Sequence, residues 1–150
     1  MAIYEMIKNM DIFEGFTEDE KKIFAEMDHS VNEYQQGENI TEEGDSSTAL
    51  YLIVKGTVLV TKTRDNAKIR IAKLGPGEIF GEMSFFVKKT RHSDVTANEQ
   101  VIVVQMDDNF FQKANPVIRD KIKNYFIELL ITRLDVMNES IMKISKLMHM

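Results

Sequence analysis

Glycine is confined to one stretch of this chain. Six of the seven glycines (Gly37, Gly44, Gly56, Gly75, Gly77 and Gly81) fall within residues 37–81, and only Gly15 lies outside. Between them run short apolar segments rich in Val, Ile, Leu, Tyr and Thr. That pattern specifies brief strands separated by tight turns, not long helices. The segments are 31–35, 38–41, 50–54, 57–63 and 68–74, followed beyond the glycines by 92–97 and 100–106. Lys55-Gly56 resembles a two-residue hairpin turn, and Asp65-Asn66 marks a second hairpin. The centre of the chain is therefore expected to be all-β, and about eight strands suit a sandwich or jelly roll.

Helical patterns flank this region. Thr17-Glu18-Asp19-Glu20 is a capping box, with Thr17 at the N-cap and Glu20 three residues on. It opens a helix expected to carry Ile23, Phe24 and Met27 inward, and a shorter helix is expected before it, over 3–10. After the last strand, Asp107 or Asp108 can cap a helical turn through Phe110 and Phe111. Pro116 then falls where proline is tolerated, in a first helical turn. From there to about residue 147 no glycine or proline intervenes, a helix of roughly 48 Å. Its early residues Val117, Ile122 and Phe126 are expected to pack on the protein's own core. Farther along, Ile127, Leu130, Leu134, Met137, Ile141, Ile144 and Met148 alternate spacings of three and four. This is the 3.5-residue period of a two-stranded coiled coil, and 127–148 is expected to be the seam of a parallel homodimer.

Composition excludes several chemistries. A chain of 150 residues suits one domain: amino-terminal helices over 1–29, a β region over 30–106 and carboxy-terminal helices over 107–150. With no cysteine there are no disulfides, thiolate metal sites or cysteine nucleophiles. His29, His92 and His149 lie far apart, which argues against a histidine metal centre and against a metal-dependent jelly-roll enzyme. Net charge is −5, which disfavours direct grip on a nucleic-acid backbone. The charge is uneven: −10 through residue 48, +3 over 49–115 and +2 thereafter, with Lys88, Lys89 and Arg91 in one four-residue window. That window is either a solvated loop or part of a pocket for a small anion. No secretory signal and no apolar run of ~18 residues is present, so no membrane contact and a cytoplasmic location are expected.

The anion reading gains weight from what precedes the window. Leu74-Gly75-Pro76-Gly77-Glu78-Ile79-Phe80-Gly81-Glu82-Met83-Ser84-Phe85-Phe86 joins a tight turn to a single helical turn. Backbone N–H groups at such a helix start form an anion cradle, which a nearby arginine would complete with a charge-assisted fork. Glu82 sits at the same helix start, where the dipole favours it and its carboxylate can accept from hydroxyls. A phosphate cradle, an arginine and a carboxylate for a sugar suit a nucleotide.

Phe80-Gly81-Glu82-Met83-Ser84-Phe85, with Arg91 following after five residues, resembles the phosphate-binding cassette of the cyclic nucleotide-binding domain family. The resemblance extends to Gly37-Glu38-Asn39-Ile40, Gly44-Asp45, residues 50–58, Leu74-Gly75-Pro76-Gly77 and residues 12–17, covering nearly all of 10–148. It implies a mainly β fold with flanking helices, an eight-stranded jelly-roll β-barrel with the cassette at 79–93, and a long carboxy-terminal helix. It also implies roles. Gly81 and the amides of Glu82, Met83 and Ser84 would border the cyclic phosphate and ribose. The Glu82 carboxylate would hold the ribose 2′-hydroxyl, and Arg91 would pair with the exocyclic phosphate oxygens, helped by the amide of His92. Phe80 and Ser93 complete the cassette's ligand-binding set. Residues 133–139 resemble the helix of catabolite-activator-like regulators whose polar pair reaches the purine, which places Asn138 at the base, or else on the surface of a coiled coil.

Three residues depart from the family pattern. His92 and Asp94 stand where small residues or threonine are usual, and Met137 replaces a polar residue. The Asp94 carboxylate would repel a phosphate unless it points outward or pairs with Lys88 or Lys89. The expected function is a dimeric cyclic nucleotide-binding regulatory module, cAMP before cGMP, that is not an enzyme and needs no cofactor beyond its ligand. It would signal to a downstream protein partner by movement of the last helix. The alternative is a degenerate copy of the fold that serves as a dimeric scaffold without ligand.

Overall fold

The computed structural model describes residues 2–27, 30–87 and 89–149, except the side chains of Ala2, Ser30, Met83, Phe86 and Val87. His29 and Lys88, both weighed in the sequence, lie outside the described residues. Two compact units divide the chain, Met1–Ala114 and Asn115–Met150.

In the first unit, α1 (Ala2–Ile7) and a 3₁₀ turn (Asp11–Phe13) precede α2 (Glu18–Glu26). The capping box of α2 forms as its sequence specifies: Glu20 N–H donates to Thr17 Oγ1 at 3.1 Å, and Thr17 N–H to Glu20 Oε1 at 2.8 Å. Phe24 is the buried residue of this helix, packed on Phe13 at 4.8 Å between ring centroids and on Phe110 at 6.0 Å. Ile23, expected inward, is 43% exposed. A nine-residue helix turns only a narrow stripe inward, and Phe24 fills it.

The β region holds eight strands among the described residues: β1 (Ser30–Tyr34), β2 (Asn39–Thr41), β3 (Leu50–Lys55), β4 (Val58–Arg64), β5 (Ala67–Leu74), β6 (Ile79–Phe80), β7 (Asp94–Ala97) and β8 (Val101–Met106). They pair antiparallel in two four-stranded sheets, ordered β1-β8-β3-β6 and β2-β7-β4-β5. The closed barrel is thereby corrected: hydrogen bonding runs within each sheet and no described strand pair joins the two. Ala49, Tyr51, Ile53, Val58, Phe80, Val95, Ala97, Val101 and Val103 form a shared apolar core drawn from both sheets.

Lys55-Gly56 is a second correction. It does not close a hairpin, because β3 and β4 belong to different sheets. Gly56 is required for another reason: at φ +86°, a Cβ there would stand 2.3 Å from the Gln100 carbonyl oxygen. Asp65-Asn66 does form a hairpin, with both residues at positive φ (52° and 65°), as a type I′ turn demands. That hairpin leaves β5 at a sheet edge, paired with β4 alone among the described strands. Ile69 and Ile71 on it are 47% and 55% exposed.

After β6 comes α3 (Glu82–Val87), and after β8 comes α4 (Asp108–Lys113), capped by Asp107 Oδ1, which accepts from Phe110 N–H at 2.8 Å. Phe85 of α3 packs on Phe111 of α4 at 5.0 Å. The second unit is α5 (Pro116–Met148), a 33-residue helix with Pro116 in its first turn and Asn115 as N-cap. Ile118, Ile122 and Phe126 are buried, one turn apart. Val117, expected inward, is 55% exposed, whereas its neighbour Ile118 is buried. Ile127, Leu134, Met137, Ile141, Ile144 and Met148 are each more than half exposed.

Candidate functional site

The cassette is aimed by a turn, a short strand and a glycine. Gly75-Pro76-Gly77-Glu78 is a type II turn: Glu78 N–H donates to the Gly75 carbonyl at 3.1 Å, with Gly77 at φ +87°. Gly77 N–H donates to the Ile53 carbonyl at 2.8 Å, and Ile53 N–H to the Glu78 carbonyl at 2.9 Å, which fasten the turn to β3. β6 then adds two residues beside β3, with Leu52 opposite Ile79 and Tyr51 opposite Phe80. Gly81, at φ +87°, bends the chain into α3. The amides of Glu82, Met83 and Ser84 come before the first intrahelical bond of α3, from Phe85 N–H to the Gly81 carbonyl at 3.1 Å. Glu82 is half-buried and the Ser84 side chain is buried, while the Met83 side chain lies outside the described residues.

Arg91 reaches this cassette from the far side of the loop. Its backbone is clamped to the turn 42–45: Gly44 N–H donates to the Arg91 carbonyl and Arg91 N–H to the Asp45 carbonyl, both at 2.9 Å. Its side chain is only 5% exposed. Arg91 Nη2 donates to the Ala49 carbonyl at 2.6 Å and Nη1 to the Gly81 carbonyl at 3.2 Å. The guanidinium carbon lies over the Tyr51 ring, 5.6 Å from its centroid, and that ring stacks on Phe80 at 4.8 Å and 10°. Arg91 Nε is buried with no hydrogen-bond partner, and no ion pair among the described residues includes this arginine. Burial pushes the guanidinium below the usual arginine value; Tyr51, Asp45 and Glu82 act in the opposite sense.

Arginine remains a cation at any working pH. A buried cation held by two carbonyl dipoles and an aromatic ring, with no carboxylate ion-paired to it among the described residues, keeps positive charge in a low-dielectric site, and an anion relieves that cost. The cassette therefore brings together the expected Phe80, Gly81, Glu82, Ser84 and Arg91. His92 is exposed and Ser93 half-buried just beyond it. Asn138 belongs to the other unit, on an exposed stretch of α5.

Asp94 is turned outward and has partners of its own. Its Oδ1 accepts from Glu43 N–H at 2.7 Å, and its Oδ2 lies 3.9 Å from Lys68 Nζ. Along β7, Val95 and Ala97 point to the core, so Asp94 and Thr96 face the other way. Its ion-pair partner among the described residues is Lys68 of β5 and not Lys89; Lys88, the other lysine considered, lies outside the described residues. Sequence reasoning missed Tyr51 and the Ala49 carbonyl altogether. The only signal for Tyr51 was its place in an apolar strand, which specifies burial and not a target.

A family model described as the cyclic nucleotide-binding domain matches residues 31–114. Among curated proteins, the type II regulatory subunit of cAMP-dependent protein kinase from Drosophila melanogaster is 36% identical over 69 residues, 46% of this chain and 18% of that protein. The cyclic AMP receptor protein of Thermus thermophilus is 42% identical over 67 residues, 44% of this chain and 31% of that protein. The matched stretch thus spans less than a third of either relative. Among solved structures, the Thermus thermophilus catabolite activator protein superposes with a TM-score of 0.76 at 27% identity, over 89% of this chain and 62% of that one.

Proposed function

Because the chain belongs to the cyclic nucleotide-binding domain family, we propose that it binds a cyclic nucleotide at the 79–93 cassette, cAMP before cGMP. It acts as a regulatory module with no chemistry of its own and no cofactor besides that ligand. The observation that carries this reading is the buried Arg91 guanidinium, which has an orphan Nε and no carboxylate ion-paired to it among the described residues. The cyclic phosphate, an anion small enough for one cassette, is the group that meets this demand. The amides of Glu82, Met83, Ser84 and His92 share in holding it, Phe80, Gly81 and Ser93 border it, and the Glu82 carboxylate accepts from the ribose 2′-hydroxyl. Two relatives named for cAMP support the adenine preference, as does the amide of Asn138, which can bond adenine's exocyclic edge.

The interleaved strand order supports reading the two sheets as a double-sheet jelly roll. Among the described residues no helix is long and apolar enough to cross a membrane. We place the module in the cytoplasm as a homodimer through 127–148 of α5, handing its signal to a protein partner and not directly to nucleic acid. Signalling through α5 requires the ligand to bind one helix position more tightly than another.

Calorimetric titration of the purified protein with cAMP and with cGMP tests the assignment. Binding of cAMP that Arg91→Glu abolishes is the expected result. No heat and no thermal shift at millimolar ligand would sink it and leave the scaffold reading.

A further inference from the structure

The cation over Tyr51 poses a physical question: what keeps a desolvated guanidinium in the cassette without neutralising it? A carboxylate hydrogen-bonded to Arg91 would stabilise the cation most, yet it would cancel the charge that an incoming phosphate needs and would repel the phosphate itself. The surroundings use other means. Two carbonyl oxygens, of Ala49 and Gly81, accept from Nη2 and Nη1, and the Tyr51 ring presents its electron-rich face to the guanidinium carbon at 5.6 Å. The ring itself cannot tilt away easily. It is 4% exposed and stacked on Phe80, its cross-strand partner between β3 and β6.

We infer that Tyr51 is a positioning residue for phosphate recognition, an aromatic platform that holds the Arg91 guanidinium in place without a carboxylate ion pair among the described residues. The inference rests on the cyclic nucleotide reading above and extends it to a residue that touches the arginine and not the nucleotide. The Tyr51–Phe80 pair also ties that platform to the chain entering Gly81. The strand carrying Tyr51, with Ala49 just ahead of it, and the strand leading into the cassette therefore set the arginine together.

The test compares wild type, Tyr51→Phe and Tyr51→Leu by calorimetry with cAMP and with adenosine, which lacks the phosphate. Tyr51→Leu is expected to weaken cAMP by roughly ten- to thirtyfold, the worth of a desolvated cation–π contact, and to leave adenosine unchanged. Tyr51→Phe, which keeps the ring, recovers most of that loss. Equal losses for both ligands would reveal general damage and overturn the inference, as would a Tyr51→Leu protein that binds cAMP like wild type. Wild type that binds no cAMP sinks the functional reading instead, and a ligand-free measurement then decides the inference alone. The Arg91 Nε–H resonance, assigned through Arg91→Lys, should be displaced by the tyrosine ring current in wild type and in Tyr51→Phe, and should lose that displacement in Tyr51→Leu. An unmoved resonance in Tyr51→Leu would overturn it.

Discussion

A side chain at position 81 would collide with the site it helps to form. A Cβ there would stand 2.6 Å from Arg91 Nη1 and 2.8 Å from the Ala49 carbonyl oxygen, on a backbone already at φ +87°. The arginine tip could swing aside, but the Ala49 carbonyl belongs to the backbone just ahead of β3. Gly81→Ala should therefore cost about 1–2 kcal/mol from left-handed strain alone, read by denaturant unfolding, and should also displace the guanidinium. A variant that kept wild-type stability and wild-type cAMP affinity would contradict this account. The sequence made Gly81, Glu82 and Arg91 legible because their order and spacing survive in one dimension. Tyr51 was not legible, since its role comes from a cross-strand register with Phe80, 29 positions later. For Asp94 the sequence left open whether it repels a phosphate or turns outward or pairs. Strand alternation turns it from the core, and it is paired with Lys68, a partner 26 positions away that the sequence does not bring near.

Among the elements, those with local causes were the easiest to foresee. The capping box of α2, the Asp107 cap of α4 and the unbroken run of α5 each follow from residues a few positions apart. β6 escaped because two residues carry no periodicity; the turn at 75–78 and its bonds to Ile53 create the strand. The Lys55-Gly56 link failed for a related reason, since a glycine needed for close approach to Gln100 looks the same in sequence as one needed for a hairpin. For α5, the exposed stripe through Ile127, Leu134 and Ile141 motivates a test of assembly. Sedimentation equilibrium is expected to give twice the 17.3 kDa chain mass for wild type and the single mass for Leu134→Lys combined with Ile141→Lys. A monomeric wild type, or a variant that still dimerises, removes the seam.

At the scale of the whole molecule, sequence counting found positive charge in the middle of an acidic chain and assigned it to the cassette. Half of the ten cations in that middle stretch lie together elsewhere. Lys62 and Arg64 on β4, and Lys68, Arg70 and Lys73 on β5, line one hairpin. Their side chains flank the exposed Ile69 and Ile71 on an edge strand whose outer main-chain groups pair with no described strand. Glu43 and Asp94 partly offset Arg64 and Lys68, and the excess of like charge along such an edge opposes two copies zipping together. That protection is purely coulombic, so it shrinks with the ionic atmosphere, whose screening length falls from about 10 Å at 0.1 M salt to about 3 Å at 1 M. Raising sodium chloride across that range should therefore drive the protein into higher-order species, seen by light scattering, and Ile71→Lys should hold the scattering flat. The edge that guards the fold in dilute buffer becomes its point of aggregation in brine.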